Sequence, residues 1–114
     1  MQHNISEHIK SNVVNKKVNP EKQNRHNRNS IDYVCGRSYL LDGVNAQELV
    51  DRYHDTGDIR YNRAGDTWIN KEFIIADRNI GVSINPATGK ETITNCFTIH
   101  YSNTGTHVVP TERR

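Results

Sequence analysis

Residues Thr98 to Thr111 read TIHYSNTGTHVVPT, and the interpretation of this stretch decides the fold. Phe97, Ile99 and Tyr101 alternate with polar residues before an Asn-Thr-Gly turn, and Val108 and Val109 follow it, which predicts a β-hairpin. Thr98, His100 and Ser102 occupy the face opposite Phe97, Ile99 and Tyr101, because side chains alternate across a strand. If the apolar set packs against a helix, His100 looks outward from the sheet. Whether His107 joins it depends on the parity of the turn. A two-residue loop at Asn103-Thr104 or Thr104-Gly105 places both histidines on one face, whereas a three-residue loop with Gly105 in a bulge separates them. The sequence leaves these alternatives open.

Working outward, VNAQELVDRYHDTG (residues 44–57) predicts a helix. Ala46, Leu49, Val50 and Tyr53 fall at i, i+3, i+4 and i+7, Asn45 with Glu48 forms a capping box, and Gly57 suits the C-terminal cap. Beyond it the apolar period changes to two, with turn signals at NRAGD, NPATGK and SNTGT. Strands are expected near 58–62, 67–75, 80–85, 92–102 and 106–110. A helix followed by an antiparallel meander makes the fold class α+β, with N-terminal helices packed on a four- to five-stranded antiparallel sheet.

The first 37 residues differ: they are rich in Asn, Lys, Arg and His and poor in large apolar side chains. Ile5, Ile9 and Val13 are four apart, which fits a short amphipathic helix ending before Pro20. Residues 1–21 are read as a leader or connector and 22–114 as one domain. With 114 residues, 33% hydrophobic, and a mean hydropathy of -0.84, the core must be thin. The net charge of +2 does not by itself announce a polyanionic ligand. No apolar run is long enough for a transmembrane helix, so membrane insertion by this domain is not expected. Cys35 and Cys96 fit no C-x-x-C pattern, and neither a metal nor another cofactor is predicted. A monomer is expected.

The histidines are surplus to what a hairpin needs. Two imidazoles titrate near neutrality and can act as general base and general acid. Upstream, EKQNRHNRNS places Lys22, Arg25, His26 and Arg28 close together, a solvated basic loop or a phosphate-binding arm. Two imidazoles beside an RNA phosphodiester, with Lys, Arg and hydroxyl donors on the phosphoryl oxygens, suffice for cleavage by the 2'-hydroxyl. From the residues alone, a ribonuclease is favoured narrowly over a nucleic-acid-binding or protein-binding module.

The stretch from Lys22 to Thr111 also resembles a known family, the polymorphic toxin type 50 domain. Its most specific parts are KQ with His26 three residues on, NKE, ADRNIG and above all IHYSNTGTHVVP. RHNRNS departs from the family-like pattern that follows the basic arm. The resemblance implies a ribonuclease of the fold shared by barnase, EndoU, RelE and the colicin ribonucleases. It implies that His26, His100 and His107 are catalytic with Ser102 and Thr106, and that Lys22 is their partner. Arg25, Tyr101, Lys71 and Glu72 are counted with Lys22 as substrate-binding candidates, although an exposed cross-strand charge pair explains Lys71 and Glu72 as well. The partners implied are an RNA substrate, with tRNA one candidate, and a cognate immunity protein. Such a domain is expected to be exported within a larger effector, as in contact-dependent inhibition, and to act in the cytoplasm of the target bacterium. The alternatives are a non-catalytic nucleic-acid-binding or phage-particle module and a metal-dependent DNase toxin.

Overall fold

The helix α3 (Ala46–Tyr53) packs one side into the core. Asn45 caps it by accepting the Glu48 amide at 3.0 Å, and Ala46, Leu49 and Val50 are buried along one side. The computed structural model of the protein describes residues 5–10 and 14–112. Before α3 come α1 (Ile5–Lys10), α2 (Pro20–Asn24) and the two-residue strand β1 (Tyr39–Leu40). After it come β2 (Asp58–Tyr61), β3 (Trp68–Ile75), β4 (Gly81–Ile84), β5 (Glu91–Thr94), β6 (Cys96–His100) and β7 (His107–Thr111).

The helix ends differently from expectation. The His54 amide still bonds Val50, and Asp55 then adopts the left-handed conformation (φ 64°), so the αL position is not Gly57. Gly57 is required for another reason. It lies against β3 so closely that a Cβ there would stand 2.1 Å from the Phe73 carbonyl oxygen.

All strand pairs are antiparallel, in a four-stranded sheet ordered β2-β3-β6-β7 and a three-stranded sheet ordered β1-β4-β5. The fold is therefore α+β, as the sequence predicts, but the strands divide between two sheets. The continuous strand expected over 92–102 is two strands with a corner at Asn95. There Asn95 and Ala76 exchange backbone and side-chain bonds: the Ala76 amide reaches the Asn95 carbonyl (2.8 Å), and Asn95 Nδ2 reaches the Ala76 carbonyl (3.0 Å). Thr94 Oγ1 secures the bend by accepting the Cys96 amide and donating to the Thr111 carbonyl. A long ribbon bent at Ala76 and Asn95 thus contributes its near half to one sheet and its far half to the other.

Ile74, Phe97, Ile99 and Val108 cover the inner face of the larger sheet and join Leu49, Val50, Ile9 and Val14 in one core. Residues assigned to the connector therefore supply core side chains; Val13 lies outside the described residues. Cys96 is buried and Cys35 exposed, and both are free thiols.

Candidate active site

The register of the terminal hairpin resolves the parity question. His100 pairs directly with His107, the Gly105 amide bonds the Ser102 carbonyl at 3.1 Å, and Asn103-Thr104 is the two-residue turn. Both imidazoles therefore project from the outer face of the sheet, with ring centroids 4.7 Å apart. Lys71 of β3 is the cross-strand partner of His100 on the other side, so it shares this face.

The segment before α2 brings the third histidine. Thr106 donates its amide to the Lys17 carbonyl and accepts the Asn19 amide on its own carbonyl, each at 2.9 Å, which makes Val18 a parallel partner of the hairpin. The approach is close enough that a Cβ on Gly105 (φ 113°) would lie 2.7 Å from the Asn19 Cβ. Asn19 ties helix to turn, accepting the Lys22 amide and donating to the Thr104 carbonyl. Gln23 then seals the edge of β7 by bonding both the amide and the carbonyl of Val108 with its side chain. The KQ pair thus has two duties, with Gln23 buried as a strand surrogate and Lys22 facing the turn.

Lys22 Nζ donates to Thr104 Oγ1 (2.7 Å), Ser102 Oγ (3.1 Å) and the Gly105 carbonyl (3.4 Å). His26, just past the helix, stacks on His107 with centroids 5.7 Å apart and planes within 14°. Its Nδ1 lies 2.8 Å from the Ser38 carbonyl. A carbonyl only accepts, so Nδ1 carries the proton and Nε2 the lone pair. The result is a file of imidazoles, His26, His107 and His100, flanked by a lysine and two hydroxyls.

Burial is the first cause that keeps these rings neutral. It lowers His100 to about 3, helped by the charges of His107, Lys71 and His26. His107 is lowered to about 4 by burial and then by His26, Lys22, Arg25 and Arg37. His26 is also lowered, chiefly by burial, against the opposing bond to Ser38. His107 Nδ1 is buried without a hydrogen-bond partner among the described residues. The rings stack, and no group of three or more His, Cys, Asp or Glu side chains among the described residues could hold a metal ion.

The remaining candidates divide. Arg25 is exposed and close enough for its charge to act on His26 and His107. Arg28 turns away to the Tyr39 hydroxyl (2.6 Å). Thr106 is fully buried, and its hydroxyl donates to the His100 carbonyl at 2.9 Å, which fixes the backbone beneath the site. Tyr101 and Glu72 belong to the opposite face. Glu72 is not half of an exposed charge pair: it is fully buried and accepts the Asp55 amide (2.9 Å), the Gly57 amide (2.8 Å) and the Tyr101 hydroxyl (2.7 Å). Burial and the neighbouring carboxylate raise the Tyr101 hydroxyl far above its ordinary range. Two residues escape the sequence reading. Thr104 is the nearest hydroxyl to Lys22, and Arg37, from a loop without periodicity, acts on both His26 and His107.

A family model described as bacterial toxin 50 matches residues 18–110. The chain belongs to that family. The match spans α2 and the imidazole file and ends at Pro110 in β7, so Lys22, His26, His100 and His107 all lie within the matched residues. No curated protein matches the chain significantly. Among the described residues no helix is long and apolar enough to cross a membrane.

Proposed function

We propose that this toxin domain is an RNA endonuclease that needs no metal and leaves a 2',3'-cyclic phosphate. The observation that carries the reading is the imidazole file beside Lys22. Two half-exposed rings stand in contact on one sheet face, a lysine and hydroxyls lie next to them, and a third ring backs them.

In this mechanism His100 and His107 flank the scissile phosphate, because they are the imidazoles with an open face, whereas His26 is 4% exposed. One neutral ring takes the proton of the 2'-hydroxyl as O2' bonds to phosphorus. The other, protonated, gives its proton to O5' as the P–O5' bond breaks. Held neutral by burial and by neighbouring charges before substrate binds, the rings supply the base directly. The phosphodiester anion favours one protonated ring on binding and so supplies the acid. Lys22, with the Ser102 and Thr104 hydroxyls, binds the phosphoryl oxygens as charge builds. His26 acts as a positioning residue behind His107, and Thr106 fixes the backbone of His100.

A domain with this activity endangers the cell that makes it. We therefore assign it an immunity protein whose acidic surface meets Lys22, Arg25 and Arg37, export within a larger effector, and action in the target cytoplasm.

The test is incubation of the purified domain with total RNA in excess EDTA beside His107→Ala, with analysis of fragment ends. Discrete cuts bearing 2',3'-cyclic phosphate, lost in the variant, are expected. Intact RNA under conditions where the protein binds it would overturn the reading in favour of a binding module, and cleavage of DNA abolished by EDTA would replace it with a metal-dependent DNase.

A further inference from the structure

The site does not end at His100. Following the register across the larger sheet, Arg60 of β2 pairs with Lys71 of β3, Lys71 with His100 of β6, and His100 with His107 of β7. One row perpendicular to the strands therefore carries a nitrogen-bearing side chain on every strand, all on the same face.

Two cations directly opposite each other on neighbouring strands destabilise a sheet unless something offsets the repulsion. Lys71 forms no ion pair among the described residues. Arg60 has one, from Nη1 to Asp58 at 3.0 Å, but the Asp58 side chain is 64% exposed and such surface pairs contribute little. The Arg60 guanidinium lies over the Phe73 ring, 5.0 Å from its centroid, with Nε buried and lacking a hydrogen-bond partner among the described residues. That packing holds the fork in place while 26% of the side chain stays open to solvent. A fixed arginine fork beside a lysine point charge is the donor set for a phosphate.

We propose that Arg60 and Lys71 form a second phosphate subsite, which takes the RNA backbone phosphate next to the one cleaved at His100 and His107. This rests on the ribonuclease reading. With strands about 4.8 Å apart, Lys71 stands one spacing from His100 and Arg60 two, about 10 Å in all. Arg60 is thus too far from the His100–His107 pair to share its phosphate, and near enough for a neighbouring nucleotide. The substrate crosses the strands along the row, and the domain acts on a chain of several nucleotides in preference to a dinucleotide.

The experiment compares wild type with Arg60→Gln, which keeps the stem over Phe73, and Arg60→Lys, which keeps the charge. Binding of a 2'-O-methyl tetranucleotide is followed by fluorescence anisotropy over a salt titration, and cleavage is measured on a dinucleoside monophosphate, which has a single phosphate. Arg60→Gln is expected to weaken tetranucleotide binding roughly tenfold at low salt and to lower the salt slope by about one. It should leave dinucleotide cleavage at the wild-type rate, and Arg60→Lys should retain the wild-type salt slope. Unchanged tetranucleotide binding in Arg60→Gln, or an equal loss on both substrates, overturns the subsite while the ribonuclease stands. Wild type that cleaves neither the dinucleoside monophosphate nor total RNA overturns the ribonuclease reading itself.

Discussion

Two polar clusters sit at the same level of the same two strands, on opposite faces. Lys71 and His100 point outward; their immediate neighbours Glu72 and Tyr101 point inward. The inner cluster is satisfied, with Glu72 accepting two backbone amides and one hydroxyl, so β3, the turn after α3 and the hairpin are joined at one carboxylate. In the outer cluster, among the described residues, His107 Nδ1 has no hydrogen-bond partner and Lys71 no ion pair, and two cations and two imidazoles fill adjacent positions. A polar group whose bonds are complete serves structure, whereas one left incomplete is available to a ligand.

The strongest way to break this contrast is to remove one member of each cluster. Glu72→Ala leaves two part-buried amides and a buried hydroxyl without their acceptor, and should cost about 3 to 5 kcal/mol of stability. A urea unfolding curve measures it, and a loss below about 1 kcal/mol would sink the structural role. His107→Ala should reverse the pattern, lowering RNA cleavage by about 10² to 10⁴ with an unfolding midpoint close to wild type. If both variants lost stability equally, the outer cluster would be structural too.

How far the sequence discloses these clusters depends on the range of the interactions that build them. The α3 cap is legible because Asn45 and Glu48 are neighbours, and so is the outward direction of His100 because alternation is local. Parity of the turn is not: it is set by Asn19, whose backbone packs against Gly105 and whose side chain holds the Thr104 carbonyl, a contact across 85 positions. Glu72 reads as exposed because a charged residue in an alternating strand ordinarily is, and its acceptor role depends on amides at Asp55 and Gly57 that carry no side-chain signal. Gly57 stands out in the sequence as a helix cap, yet only the approach of β3 shows why a Cβ is forbidden there. The corner at Asn95 is hidden among residues that all suit a strand. Arg60 enters no motif, and its place in the row follows from register alone.

A smaller change sharpens the comparison within the inner cluster. Tyr101→Phe removes one of three donors to Glu72 while preserving the ring contact with Trp68, so about 1 to 2 kcal/mol of stability should be lost. RNA cleavage, corrected for the folded fraction, should stay within about twofold of wild type, as hydrogen-bond loss on the far face leaves the imidazole file in place. A larger drop in cleavage measured on fully folded protein would transfer Tyr101 to the site.

Acid provides the mildest probe, and its sign distinguishes the faces. His100 and His107 are held at about 3 and about 4 in the folded chain, against 6.5 for an unperturbed imidazole. Between those values the unfolded chain binds protons that the folded chain does not, so stability is fully present above pH 6.5 and declines as pH falls toward the folded values. A tenfold difference in proton affinity between the folded and unfolded chain corresponds to about 1.4 kcal/mol. Partial exposure reduces the effect, leaving on the order of 1 kcal/mol per ring lost between about pH 7 and 5. Urea midpoints across that window should fall for wild type and fall less for His100→Asn, which has one such proton fewer. Tyr101→Phe should retain the wild-type slope over the same window, because the Tyr101 hydroxyl, raised above its ordinary range, stays protonated there in both states. Equal slopes for wild type and His100→Asn would show that the ring titrates alike in both states, and the crowding of imidazoles would no longer distinguish the outer face.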